Sequence, residues 1–406
     1  MTQETKWLLS KLAKVLTKEY RGETEIEIQV TESLDWDKIL ILAKQHAVLS
    51  LLDPLLEEEK ECEIMPENIK YCIRQEARQI VQQNYHLLFL SRNIIEELEK
   101  EGISTALLKG ASVAAFYPVP ELRKSGDVDL FLFSREMVSQ AEEVLFRLGI
   151  LPHTGHSVNH HKAYITEENI EIEMHTLLAE PFDDAGVNEK MVQIQNKMQE
   201  FVQPKTLMGI SLPVLTEGVQ AYHLLLHMLQ HFLRAGFGLK LLCDWVVFWN
   251  QQNSEKEVAT YLELVEESGL TYFSDMITAI GETYLGLLPD KAKRIRRHFV
   301  EKEDMKDFLE EILRSLEFGG VDVSRMVALR GTSILDLWRE FHHQMHLNFP
   351  RAGKCVLFWP ALWSITLWRF CRNNRKIRGT SAKQVIEEAK KRGKIAKKLH
   401  LFKKEK

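Results

Sequence analysis

Cysteine is scarce and unpatterned in this chain. The five thiols, Cys62, Cys72, Cys243, Cys355 and Cys371, are odd in number and nowhere form a CxxC pair. That spacing excludes a disulfide scaffold and a thiolate zinc site, and it predicts reduced thiols in a cytoplasmic protein. Long hydrophobic runs are also missing. The longest uncharged apolar stretch, Cys355 to Trp368, contains Pro360 and falls short of the roughly 20 residues that cross a bilayer, so no spanning helix is expected. The opening residues, Met1 to Lys6, lead into an amphipathic pattern without the apolar core and small-residue cleavage site of a secretory leader. No internal repeat is found.

What is present suits a soluble globular protein of two or three domains: 406 residues, 45% hydrophobic and 27% charged. The net charge of -5 hides an asymmetry, because residues 372–406 hold 14 Lys/Arg against three Glu, which leaves -16 on the rest of the chain. Such a tail reads either as a solvated charged helix with a frayed end or as a contact for an anionic partner: RNA, anionic lipid or an acidic protein.

Periodicity divides the chain into four stretches. Residues 1–100 read as a helical region, with Trp7, Leu8, Leu12 and Leu16 at helical spacing. A second helix is capped by Ser33 or Asp35 and expected to end at Pro54, and a long one runs from Glu67 to Lys100 and stops at Gly102. Over 101–215 the period shortens. Ile103–Leu108 and Val128–Phe133 read as buried strands and 110–117 as a short helix, while Arg135–Leu148 reads as an amphipathic helix closed by Gly149. Val158–Ile165 and Ile170–His175 flank Thr166-Glu167-Glu168-Asn169 as a hairpin. Residues 216–371 are helical again, with a break at Gly236-Phe237-Gly238, and 372–406 form the basic tail. The class is α+β.

The chemistry concentrates at Gly126-Asp127-Val128-Asp129-Leu130. Side chains alternate along a strand, so Asp127 and Asp129 share one face, their Cα atoms roughly 6.5 to 7 Å apart, with Val128, Leu130 and Leu132 on the other. Two neighbouring carboxylates repel, and a divalent cation resolves the repulsion. The same parity puts Glu171, Glu173 and His175 together on the following strand, which makes a third carboxylate available. Three acids of this kind can hold two ions about 3.5 to 4 Å apart against a nucleoside triphosphate, and Mg2+ or Mn2+ suits such oxygen ligands. Upstream, Lys109-Gly110-Ala111-Ser112 closes a strand and opens a helix, where backbone N–H groups, the Lys109 charge and a bidentate Arg123 would meet phosphate.

Together these residues resemble the uncharacterised nucleotidyltransferases of the DNA polymerase β-like superfamily. The resemblance rests on Leu107-Leu108-Lys109-Gly110, Tyr117-Pro118, Arg123, Gly126 to Leu130 and Glu173-Met174-His175. Weaker similarities are Asp35-Trp36 with Ala43 and His46, the His227 and His231 helix, Asp244-Trp245 and Trp368-Arg369. It implies a small mixed sheet flanked by helical regions. It also implies metal at Asp127, Asp129 and Glu173. The residues themselves are read as giving nucleotide contacts from Lys109, Gly110, Ser112 and Arg123, and substrate contacts from His161 and His175. The reaction implied is transfer of NMP from an NTP such as ATP, with the acceptor left open among small molecule, peptide and nucleic acid. One departure is that Gly110 is followed by Ala111, so Ser112 falls one position later than the usual serine.

Two rival readings are a non-catalytic nucleotide- or partner-binding module on the same fold and a DxD-type glycosyltransferase. The latter is disfavoured because helices, not a nucleotide-binding α/β unit, precede the motif. A DxDx[TV] phosphatase is disfavoured by Phe131 at the Thr/Val position. His153, His156, His160 and His161 lack Cys partners and HExxH spacing, so they read as pocket lining rather than zinc ligands. His227 and His231 read as packing, and Asp244 as the partner of Lys240 at i-4. The Trp359, Trp363 and Trp368 stripe reads as core, with the basic tail beside it keeping an interfacial role open.

Overall fold

The sequence DVDLFL forms strand β2 (Asp127–Leu132) because its apolar residues can be buried at period 2. Val128, Leu130 and Leu132 go into the core as parity requires, and Phe131, on the aspartate face, is buried as well, so this strand is covered on both sides. The structure is a computed structural model. It describes residues 1–17, 34–58, 64–153, 161–182, 184–234, 236–315, 338, 341, 342, 345, 346, 349, 352–376 and 392–401.

Around β2 runs one seven-stranded mixed sheet. Its other strands are β1 (Thr105–Leu107), β3 (Leu151–Pro152), β4 (His161–Ile165), β5 (Glu171–His175), β6 (Val202–Leu207) and β7 (Ile210–Leu215), and the order is β3-β4-β5-β2-β1-β7-β6. β2 lies parallel to β5 and antiparallel to β1; β1 lies parallel to β7. The β4–β5 pair is the expected hairpin, turned by Asn169 at φ 63° with the Thr166 amide donating to the Ile170 carbonyl at 3.0 Å. The fold is therefore α+β.

Helices cover the sheet. Among the described residues, α1 (Gln3–Thr17), α2 (Trp36–Gln45), α3 (Glu67–Lys100) and α4 (Val138–Arg147) precede β3. The core cluster joins Leu88, Ile95 and Leu98 of α3 and Val144 and Leu145 of α4 to Val128, Leu130, Ile172 and Met174 of the sheet. The opposite face carries the acids. One boundary differs from expectation: α2 ends at Gln45 rather than at Pro54, because Ala47 takes φ 55° and the Val48 amide turns back to the Ala43 carbonyl at 3.0 Å.

After α5 (Ala185–Asn196) and the β6–β7 hairpin come α6 (Glu217–Arg234), α7 (Leu239–Gln251), α8 (Glu255–Glu267), α9 (Thr271–Tyr284), α10 (Lys302–Ser315) and α11 (Trp359–Lys376). The chain divides into two compact units. Of the described residues, one unit comprises those within 1–227 and 239–299, and the other those within 228–238 and 300–401. In the second unit Phe232, Phe237 and Phe308 pack edge-on, and part of the basic run is built in: buried Arg392 meets Glu311 at 2.9 Å, and Lys398 meets Asp304 at 2.7 Å.

Candidate active site

The parallel register of β2 and β5 sets Asp127 opposite Glu171, Asp129 opposite Glu173 and Phe131 opposite His175. Residues paired across adjacent strands share a face, so the acids converge as strand parity anticipated. The closest cluster of ligand atoms differs from the expected set, however. Asp129, Glu173 and His175 each offer one atom within 4.8 Å of the others, and the carboxylate of Asp127 falls outside that group. Asp127 instead borders a recess with Lys109, Gly110 and Ser125. Glu171 is engaged elsewhere, by His153 Nδ1 at 3.2 Å.

Charge at the cluster is tightly compensated. Lys109 Nζ stands 2.8 Å from Asp129 Oδ1, and His175 Nε2 lies 2.9 Å from the same oxygen and 3.1 Å from Glu173 Oε2. Burial alone would raise the Asp129 pKa, but the Lys109 ammonium and the His175 hydrogen bond hold it far below the usual carboxylate range. Asp127 goes the other way, pushed up to about 6 by burial and by the Asp129 charge beside it. Burial would lower His175, yet its bonds to Asp129 and Glu173 raise it, and Glu173 is held low by the same imidazole despite its own desolvation. The site therefore holds two carboxylates favoured in their ionised form, Asp129 and Glu173, and one, Asp127, that resists ionisation, with Lys109 and His175 both against Asp129.

Gly110 makes the strand-to-helix turn with φ 60° and ψ -116°, a conformation open to glycine, and the short helix Ala111–Ala114 follows. Ser112 was expected to meet nucleotide directly. It is fully buried, its Oγ donates to the Leu108 carbonyl at 2.5 Å and accepts from Gln220 Nε2 at 3.1 Å, so its described contacts secure the turn. Arg123 is similarly committed to protein. Nε and Nη2 each reach an oxygen of Asp244 at 2.7 Å, and Nη1 reaches Ser125 Oγ at 3.0 Å and the Gly110 carbonyl at 3.3 Å. Tyr117 Oη donates to Asp244 Oδ1 at 2.7 Å. Asp244 thus serves Arg123 and Tyr117, partners that its sequence neighbours did not suggest. Beside it Cys243 is buried, and burial together with the Asp244 charge pushes its thiol well above the usual value.

His161 opens β4 in register with His175, and its side chain lies outside the described residues, as do His156 and His160. Sequence reasoning missed His223 on α6. It is buried, and neither ring nitrogen makes a hydrogen bond of ordinary length and angle among the described residues. Burial, then the Lys109 and His175 charges, push it down to about 3, so it stays neutral beside the cations. Its one sequence signal was its position four residues before His227, which the ring separation of 6.3 Å confirms as one helix face.

No curated protein matches this chain. Among solved structures, an antigenic nucleotidyltransferase-like protein from Paracoccidioides brasiliensis is similar at 16% identity with a TM-score of 0.29, covering 45% of this chain and 88% of that one. A family model described as uncharacterised nucleotidyltransferase matches residues 32–286, which takes in the sheet, the acid cluster and the Arg123–Asp244 pair. The chain belongs to that family of uncharacterised nucleotidyltransferases.

Proposed function

We propose that the chain is a metal-dependent nucleotidyltransferase of the DNA polymerase β-like type, transferring NMP from an NTP to a hydroxyl or phosphate acceptor with release of pyrophosphate. The observation that supports it best is the parallel register placing Asp129 beside Glu173 with a cation already seated on Asp129. The donor set fits a divalent ion. Asp129 and Glu173 present oxygen atoms at one place, Asp127 stands two residues away on the same strand face, and the Lys109 ammonium shows that positive charge is accommodated there. Mg2+ or Mn2+ would be held by these three carboxylates, and once bound it supplies neutralisation of the triphosphate and activation of the acceptor oxygen.

The remaining work belongs to the chain's own groups. The acceptor oxygen bonds to the α-phosphorus, the bond from that phosphorus to the bridging oxygen breaks, and the bridging oxygen departs with its electron pair in pyrophosphate. A hydroxyl acceptor's proton leaves to solvent where Glu173 ligates the ion, or to the Glu173 carboxylate where it does not. Lys109 exchanges its ion pair with Asp129 for the phosphates, beside the Gly110 turn. Arg123 and Ser112 act one step back, by fixing that turn through Asp244 and Gln220. His175 keeps Asp129 and Glu173 in mutual alignment and lines the substrate side.

Incubation with labelled NTPs, Mg2+ or Mn2+ and an acceptor panel tests the reading through pyrophosphate release and label transfer. Asp127→Asn and Asp129→Asn are each expected to lower turnover by about a hundredfold or more. An Asp127→Ala chain that keeps its fold and turns over NTP at the wild-type rate would sink the assignment. The double engagement of Asp129 Oδ1 by Lys109 and His175 favours a second reading, a nucleotide-binding module without turnover. That reading predicts metal-dependent NTP binding with no pyrophosphate released for any acceptor.

A further inference from the structure

Helix α11 in the second unit has two faces of unlike character. Its inner face is packed and hydrogen-bonded: Leu362 and Thr366 are buried, Trp359 Nε1 donates to the Gly353 carbonyl at 2.7 Å, and Trp363 Nε1 meets His342 Nδ1 at 3.1 Å. Its outer face is apolar. Leu357, just before the helix, is 88% exposed, Trp368 is 58% exposed, and Val356, Phe358, Ile365 and Leu367 are exposed as well. Leu357, Ala361, Ile365, Trp368 and Arg372 follow one another at helical spacing, so the apolar residues form a stripe that ends in a cation. Arg372 lies over the Trp368 ring at 5.0 Å.

The charge pattern of this stretch is equally one-sided. From Phe341 to Ile386, 46 residues contain no Asp or Glu and eight Lys or Arg. Four of the eight, Arg369, Arg372, Arg375 and Lys376, close the helix. No described helix is long and apolar enough to cross a membrane. An apolar stripe with tryptophan along it and long cationic side chains at its end is the pattern of a helix lying in a lipid interface, where arginine and lysine reach back to the headgroups.

We propose that the outer face of α11, from Val356 to Arg372, is a docking surface for an anionic lipid bilayer. The aliphatic side chains enter the boundary between headgroups and acyl chains, Trp368 sits at headgroup level, and Arg372 at the end of the stripe pairs with lipid phosphate and carboxylate. Lipid is favoured over RNA because Val356, Leu357, Ile365 and Leu367 offer neither a stacking face nor a hydrogen bond to a base, whereas each gains by leaving water. The proposal stands apart from the transfer reaction and does not depend on it.

The test is sedimentation of the full chain with vesicles of phosphatidylcholine alone or with about one third phosphatidylserine. Binding to the anionic vesicles is expected to exceed binding to the neutral ones by roughly tenfold or more and to weaken in high salt. The triple substitution Leu357→Ser, Ile365→Ser, Trp368→Ser is expected to remove about tenfold of that affinity with an unchanged melting temperature. As a guard against disturbed packing, Leu357→Asp alone places a carboxylate at the most exposed position and is expected to lower binding several-fold. Brominated acyl chains should quench tryptophan fluorescence in the wild type and do so less in Trp368→Phe. Equal affinity for both vesicles, or full binding by the triple variant, overturns the proposal. So does a wild-type dimer that ignores vesicles and becomes monomeric in the triple variant, or preferential capture by a single-stranded oligonucleotide that the triple variant binds equally well.

Discussion

Arg123 and Asp244 show how one buried pair fixes a distant turn. Both side chains are almost wholly buried, and the guanidinium bridges Asp244 to the Gly110 carbonyl and Ser125. Removing one partner leaves an uncompensated buried charge, so Arg123→Met and Asp244→Leu are each expected to cost about 3–5 kcal/mol in urea denaturation. The double variant should lose less than the sum of the singles, and strict additivity would show that the pair is not coupled. His223 sets a different expectation. Its folded pKa of about 3 lies below the ordinary 6.5, so the folded state binds fewer protons than the unfolded state between those values. Its share of stability is present above pH 6.5 or so and is lost as pH falls toward 3. Acid denaturation of His223→Leu should therefore show a shallower limb by up to about one proton; an unchanged limb would mean that the imidazole is solvated. The Arg123–Asp244 partnership was not legible beforehand, because the two residues are far apart in sequence and tertiary packing selects Asp244.

At the level of elements, the turn at Gly110 is the sharpest case. A Cβ there would meet nothing closer than 3.9 Å, so the space is open, but φ 60° with ψ -116° is poorly tolerated by residues with a side chain. Gly110→Ala is expected to cost about 1–3 kcal/mol in thermal denaturation and to weaken NTP binding. Wild-type stability together with wild-type affinity would remove the turn from the site. Periodicity read β2, α3, α4 and the β4–β5 hairpin correctly because each has a strong repeat or a turn cue such as Asn169. It gave no reading of β6 and β7. Their turn is Met208-Gly209, both residues at positive φ, a two-residue hairpin turn without the usual Asn-Gly signal, and β6 contains Pro204, which argues against a strand except at a sheet edge, where β6 lies. The early end of α2 was hidden for a similar reason, since Ala47 carries the left-handed turn that glycine usually supplies.

On the scale of the whole chain, the acids were legible because their spacing on two strands survives translation into a sheet, whereas the pairing of those strands depends on residues far outside the motif. The candidate metal ligands all lie in the first unit. A divalent ion at about a hundredfold excess over its dissociation constant would add about 2.7 kcal/mol to the state that binds it. Mg2+ or Mn2+ should accordingly raise the thermal transition of the wild type and leave that of Asp129→Asn unmoved; identical shifts would place the ion elsewhere. Cys243 adds a further consequence. A thiol this deeply enclosed, next in sequence to Asp244, reacts with an alkylating reagent only when α7 exposes it, so its trapping rate counts spontaneous openings of the joint that holds the Gly110 turn, with no probe introduced into the protein.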